Sequence, residues 1–205
     1  MDKRLQGQKV AILVTDMFEE AELRDPRQAL EDAGAETHVI APHDGQIQAA
    51  NHFDKGEKYV VDLTLDEADP DDYDAVLLPG GALNADQLRV DTRAQAFIRR
   101  IDQDGKPVAV ICHGPWLLIS SGLVRGRTLA SFHTIRDDVT NAGGNWLNHA
   151  VVVDDNWVSS RKPDDIPEFN RAMIETFAGQ QLTYMVPEEV ELAFREQLAE
   201  EEESD

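Results

Sequence analysis

Three short runs constrain this 205-residue chain most: Val10-Ala11-Ile12-Leu13-Val14, Ala75-Val76-Leu77-Leu78 and Val108-Ala109-Val110-Ile111. Each is apolar at every position rather than at alternate ones. A strand with one wet face alternates; a strand covered on both faces does not. Each run is followed by a turn and then by residues with helical spacing. Ala21–Ala33 carries Leu23, Ala29, Leu30 and Ala33 on one stripe and ends before Gly34, and Thr92–Asp104 places Ala96, Phe97 and Ile101 on one side. Strands alternating with helices predict an α/β fold, a mostly parallel central sheet with helices on both faces. Further strands are expected at Glu36–Ala41, Lys58–Leu63 and around Leu129. A hairpin is expected at Val151–Val153 and Trp157–Ser160, and a last helix over Pro167–Phe177. Pro26 predicts a start or a kink within the first helix. Pro42 to Gly56 reads as loop, and so does the stretch after Pro79-Gly80-Gly81.

The functional reading centres on the single cysteine. Val108–Ile111 runs straight into Cys112-His113-Gly114-Pro115-Trp116, where a strand stops and a helix begins. Such a turn thrusts a side chain out at the C-terminal edge of the sheet, where open α/β sheets bind ligands. Pro115 suits a first helical turn. A helix N-terminus favours an anion, so a lowered thiol pKa is expected at Cys112. His113 beside it is a candidate base.

Two other strand ends reach the same edge. Leu78-Pro79-Gly80-Gly81 lets backbone approach a ligand, so the Gly81 and His113 amides are candidate oxyanion donors. Asp16-Met17-Phe18-Glu19-Glu20-Ala21-Glu22 supplies acids. A protonated carboxyl would donate to the sulfur and favour thiolate. Glu19 is the preferred choice for that role, although spacing alone fits Glu20 or Glu22 equally.

The strings Phe18-Glu19-Glu20-Ala21-Glu22, Leu78-Pro79-Gly80-Gly81 and Ile111-Cys112-His113-Gly114-Pro115, in this order, resemble the PfpI family of the class I glutamine amidotransferase-like superfamily. Gly105-Lys106-Pro107, Asp138–Gly143, Val151–Asp154 and Val158–Arg161 extend the likeness over roughly residues 8 to 178. The resemblance implies a flavodoxin-like sandwich and a homodimer or higher homo-oligomer. It also implies Cys112 as nucleophile with His113, Glu19 as the protonated acid, and Gly81 and His113 at the oxyanion. An acid after the glycine pair that reaches the His of a neighbouring subunit is implied too; Asp86 is the best match, with a one-residue insertion.

The activity expected from the resemblance is a cysteine hydrolase of stress-protection type, acting on small carbonyl compounds or carbonyl-modified proteins as a deglycase or glyoxalase, with weak peptidase activity. The alternative is a non-enzymatic redox sensor or chaperone-like protein using the same thiol. A glutamine amidotransferase draws its triad from a late His-x-Glu string, which this chain lacks: His133 is followed by Thr134-Ile135 and His149 by Ala150-Val151. The six His residues have no paired zinc spacing, and Gly80-Gly81 is no nucleotide fingerprint, so neither metal nor cofactor is expected. A net charge of -21 argues against nucleic acid or anionic membrane as partner. One cysteine, no apolar N-terminal core and no long apolar run suit the cytoplasm. Residues 1–178 read as one domain and 179–205 as an acidic extension with a disordered end: Glu188–Asp205 holds nine acids and one Arg.

Overall fold

The computed structural model describes residues 3–179. The acidic extension, beyond its first residue, therefore lies outside the described residues. The strands are β1 (Lys9–Leu13), β2 (Phe18–Glu19), β3 (Glu36–Ala41), β4 (Gln46–Asn51), β5 (Asp54–Val60), β6 (Leu63–Thr64), β7 (Ala75–Leu78), β8 (Val108–Ile111), β9 (Thr128–Leu129), β10 (Asn145–Trp146), β11 (Val151–Asp154) and β12 (Trp157–Ser160). The helices are α1 (Glu20–Asp32), α2 (Ala82–Leu88), α3 (Thr92–Gln103), α4 (Pro115–Ser120), α5 (Arg136–Asn141) and α6 (Ile166–Phe177). Among them, no helix is long and apolar enough to cross a membrane.

Seven strands form one sheet in the order β11-β12-β8-β7-β1-β3-β6, and only β11 runs antiparallel, as the partner of β12. The continuous apolar runs are the central strands, as their composition requires. Along β1 and just past it, Val10, Ile12 and Val14 point into a core shared with Leu23 and Leu30 of α1 and Phe169 and Met173 of α6. Ala11 and Leu13 point the other way, against Phe97, Ile98 and Ile101 of α3 and Leu117 and Leu118 of α4. The result is a flavodoxin-like α/β sandwich.

Three details differ from the expectation. Pro26 neither starts nor breaks α1; it lies buried inside the helix. Its missing N–H removes one bond to the carbonyl four residues earlier, and burial of its ring against the core offsets that loss. The supposed loop Pro42–Gly56 contains β4 and the start of β5, which pair antiparallel, while β4 pairs with β2 in a small three-stranded sheet. The hairpin hides in the sequence because β5 is largely exposed, so it carries charges rather than an apolar face. The stretch after Gly81 folds as α2, with Asn84, Ala85 and Leu88 buried.

Ile12 is fully buried between β3 and β7. Truncation there leaves a cavity that rigid neighbours cannot close. Ile12→Ala is expected to lower unfolding free energy by about 2–5 kcal/mol in urea titrations; a loss below about 1 kcal/mol would show that the sheet centre is not the dominant core.

Candidate active site

β8 delivers Cys112 to the C-terminal edge of the sheet in a left-handed conformation, φ +62°. A residue with a Cβ adopts that conformation only when its surroundings impose it. Here the backbone is pinned on both sides: the Cys112 N–H donates to Ser160 O (3.1 Å), and Phe132 N–H donates to Cys112 O (2.9 Å). Gly114 follows, and a Cβ there would stand 2.8 Å from Leu78 O, so the elbow needs glycine at that position. Four non-glycine residues with φ near +60° occur among the described residues, and three of them, Met17, His52 and Cys112, line one cleft. The cleft measures about 530 Å³, the size of a small-molecule site. Glu19, Glu22, Gly81, His113, Phe132 and Lys162 share its wall.

The Gly80-Gly81 loop closes over the sulfur. Asn84 of α2 holds it, donating through Nδ2 to Pro79 O (3.1 Å) and Gly80 O (2.9 Å) while its Oδ1 accepts from Thr15 N–H (2.7 Å). A Cβ on Gly80 would lie 2.3 Å from Glu22 Oε2 and 2.5 Å from Cys112 Cβ. The loop, the acid and the cysteine are thus packed to contact, and the amides of Gly81 and His113 both favour an anionic sulfur, pulling its pKa down.

The carboxyl facing the thiol is that of Glu22, not the preferred Glu19. Glu22 Oε2 accepts from Gly80 N–H at 2.9 Å. Its Oε1 is buried with no hydrogen-bond partner, and Cys112 is the side chain with which the carboxyl group interacts. Glu19 sits at the rim, where Oε2 accepts from His52 N–H (3.1 Å) and lies 3.6 Å from His52 Nδ1. Glu20 is buried elsewhere, clasping the β4–β5 hairpin through Asn51, Glu57 N–H and Tyr59. The signal that separates the three is helical register: Glu22 is in step with Pro26 and Leu30, both on the buried face of α1.

Burial pushes the Glu22 carboxyl up to about 8, with Glu19 adding to the rise while Cys112 and the Gly80 amide oppose it. Glu22 is therefore neutral at pH 7, and the unpartnered Oε1 is the oxygen free to carry the proton. The thiol departs from expectation. Burial, and the charge on Glu22 when ionised, push Cys112 upward, against the two amides that pull it down. The expected lowering from a helix N-terminus is not realised, because α4 has only six residues and Cys112 is buried, 8% exposed. His113 Nδ1 stands 3.2 Å from the sulfur. Burial lowers the His113 pKa, with His133 adding to the effect and Asp138 opposing it, so the imidazole is a neutral acceptor. Its ring stacks on Phe132 (centroids 5.1 Å) and meets Trp116 edge-on. Asp86 is exposed on α2 and does not line the cleft. No group of three or more His, Cys, Asp or Glu side chains suited to a metal occurs among the described residues.

A glycine-covered cysteine at a strand-to-helix elbow, with a buried acid from the first helix, is the arrangement to set beside known proteins. Residues 8–176 match the model of the DJ-1/PfpI family. The chain belongs to that family. Within it, the chain is 44% identical over 167 residues to a deglycase of Thermococcus kodakarensis, covering 82% of this chain and 98% of the relative. It is 41% identical over 167 residues to the deglycase PfpI of Pyrococcus furiosus, again covering 82% and 98%. The crystal structure of an Anabaena variabilis protein with DJ-1/ThiJ/PfpI-like and ferritin-like domains superposes with a TM-score of 0.79 at 32% identity, over 85% of this chain and 49% of that one.

The buried acid makes this DJ-1/PfpI family member's stability depend on pH with a definite sign. Glu22 binds its proton up to about pH 8 when folded but releases it near 4.5 when unfolded. Its contribution is fully present below pH 4.5 and is lost as pH rises to 8, by roughly 5 kcal/mol. Glu22→Gln mimics the neutral acid, so its melting temperature should fall less than the wild type's between pH 5 and pH 8. Equal falls in both proteins would mean that Glu22 is ionised throughout.

Proposed function

We propose that this protein is a cysteine-dependent hydrolase of deglycase type, acting on small 2-oxoaldehydes or on the adducts they form with protein side chains. The observation that carries the reading is the convergence on one sulfur of a base 3.2 Å away, a neutral buried acid and two backbone amides, at the floor of a small cleft. The names of the two archaeal relatives point the same way.

In this reading Cys112 attacks as a thiol activated at the moment of reaction, not as a standing thiolate. Sγ forms the bond to the carbonyl carbon, the thiol proton passes to His113 Nδ1, and the carbonyl π pair moves onto oxygen. The Gly81 and His113 amides, beside the sulfur, are the candidate donors for that oxygen. Glu22 stays neutral, since a second negative charge beside the sulfur would oppose attack. Phe132, Met17 and the exposed Phe53 and Leu83 give the cleft apolar walls suited to a short alkyl substituent. Self-association into a homodimer or larger homo-oligomer belongs to the same proposal.

Peptidase action fits less well: a cleft of this size leaves little room for an extended chain, and Asp86 is exposed on α2 and does not line the cleft that holds His113. A redox-sensing role is also less favoured, because oxidation by peroxide proceeds through thiolate, which burial suppresses here. Turnover of methylglyoxal and of a methylglyoxal-modified peptide to 2-hydroxy acid should be present in wild type and fall by at least about 10³-fold in Cys112→Ala. Equal rates in the two proteins would remove the hydrolase, and selective peroxide oxidation of Cys112 without turnover would put the sensor in its place.

A further inference from the structure

We propose that Thr134 is a positioning residue, whose hydroxyl oxygen accepts the Nε2–H of His113 and so presents an unprotonated Nδ1 to the Cys112 sulfur. The inference deepens the hydrolase reading and rests on it for its catalytic meaning. The contact that carries it is Thr134 Oγ1 to His113 Nε2 at 3.2 Å, on the far side of the ring from the 3.2 Å contact between Nδ1 and Sγ. A neutral imidazole has one N–H, and its two partners together decide which nitrogen carries it; a hydroxyl can donate or accept, but a protonated thiol offers Nδ1 a donor and so leaves the proton on Nε2. With the proton on Nε2, both ring nitrogens are satisfied: Nε2–H donates to Thr134, and Nδ1 accepts from the thiol. The opposite tautomer would leave Nδ1 unable to take the thiol proton.

The surroundings keep Thr134 in place for this task. It sits in the 3-10 turn His133–Ile135. That turn is tied to the elbow, since Ile135 N–H donates to Phe132 O (3.1 Å) and Phe132 N–H donates to Cys112 O (2.9 Å). The same Phe132 stacks on the His113 ring at an interplanar angle of 29°, which fixes the ring plane while Thr134 fixes its proton. The titratable and charged groups around the ring are Cys112 with Glu22 behind it, His133 from the turn, and Asp138 from α5, whose carboxylate accepts from Trp116 Nε1 (3.0 Å). Arg89 lies over Trp116 at 5.0 Å. Within the described chain it is a hydroxyl, and no carboxylate, that meets Nε2. When attack occurs, the thiol proton moves to Nδ1, the ring becomes imidazolium, and Nε2–H remains donated to Oγ1. A neutral acceptor stabilises that cation less than a carboxylate would, in keeping with a thiol that stays protonated at rest.

The test compares full-length wild type, Thr134→Val and Thr134→Ser. Three readouts serve: the ¹⁵N resonances of His113, the pH dependence of iodoacetamide alkylation at Cys112, and kcat and KM on methylglyoxal. Expected are an Nε2-protonated His113 in wild type, mixed tautomers in Thr134→Val, and alkylation at pH 7 slower by about 5- to 10-fold in that variant. Its kcat should drop with KM little changed, and Thr134→Ser should recover most of the loss. An Nδ1-protonated His113 in wild type, or wild-type alkylation by Thr134→Val, would overturn the proposal. Tautomer and alkylation need no turnover. If wild type fails to turn over while those two readouts behave as expected, the hydrolase reading falls and the positioning role stands.

Discussion

A carboxyl group pressed against a sulfur beneath a glycine amide is the contact around which the rest of this site is arranged. Glu22 reaches the sulfur because it lies on the inward face of α1, and α1 is held there by the core beneath β1 and β3. The Gly80 N–H orients one carboxyl oxygen and leaves the other buried without a partner. That packing tolerates no Cβ on Gly80. Two anions could not share so dry a space, so at most one charge resides on the pair. Burial then sets the protonation state: neutral acid, neutral thiol, with His113 as the group able to take a proton.

The left-handed backbone at Cys112 belongs to the same construction. Strand pairing to β12 and the bond from Phe132 hold the residue where an unconstrained cysteine would not stay. The cleft collects two further left-handed residues, Met17 after β1 and His52 at the turn between β4 and β5. Strain of this kind, of order 1–3 kcal/mol for each residue, persists only where surrounding packing determines it. The sandwich core supplies that packing, and this links the apolar strands at the centre of the sheet to the reactive group at its rim.

Much of this architecture is legible in the residues themselves. Continuous apolar runs at Val10–Val14, Ala75–Leu78 and Val108–Ile111 announce strands buried on both faces, and Cys112-His113-Gly114-Pro115 announces the elbow. What stays hidden has physical causes. The β4–β5 hairpin is exposed over much of β5, so no apolar alternation marks it. Helix α2 is short and begins on a glycine pair that reads as a turn. The choice among Glu19, Glu20 and Glu22 depends on the helical phase of α1, which a buried Pro26 obscures. The direction of the thiol's acidity depends on how much water the folded loop excludes, a property of the closed Gly80-Gly81 cover rather than of the motif. Thr134 carries no motif at all; only the fold brings it to His113.

The central claim, that Glu22 carries its proton at neutral pH, is read most directly by infrared difference spectroscopy between wild type and Glu22→Gln across pH 5 to 10. The account predicts a protonated-carboxyl band that is present at pH 6, absent from the variant, and lost in wild type with a midpoint near 8. A wild-type spectrum at pH 6 with only the ionised carboxylate band for this residue would contradict it.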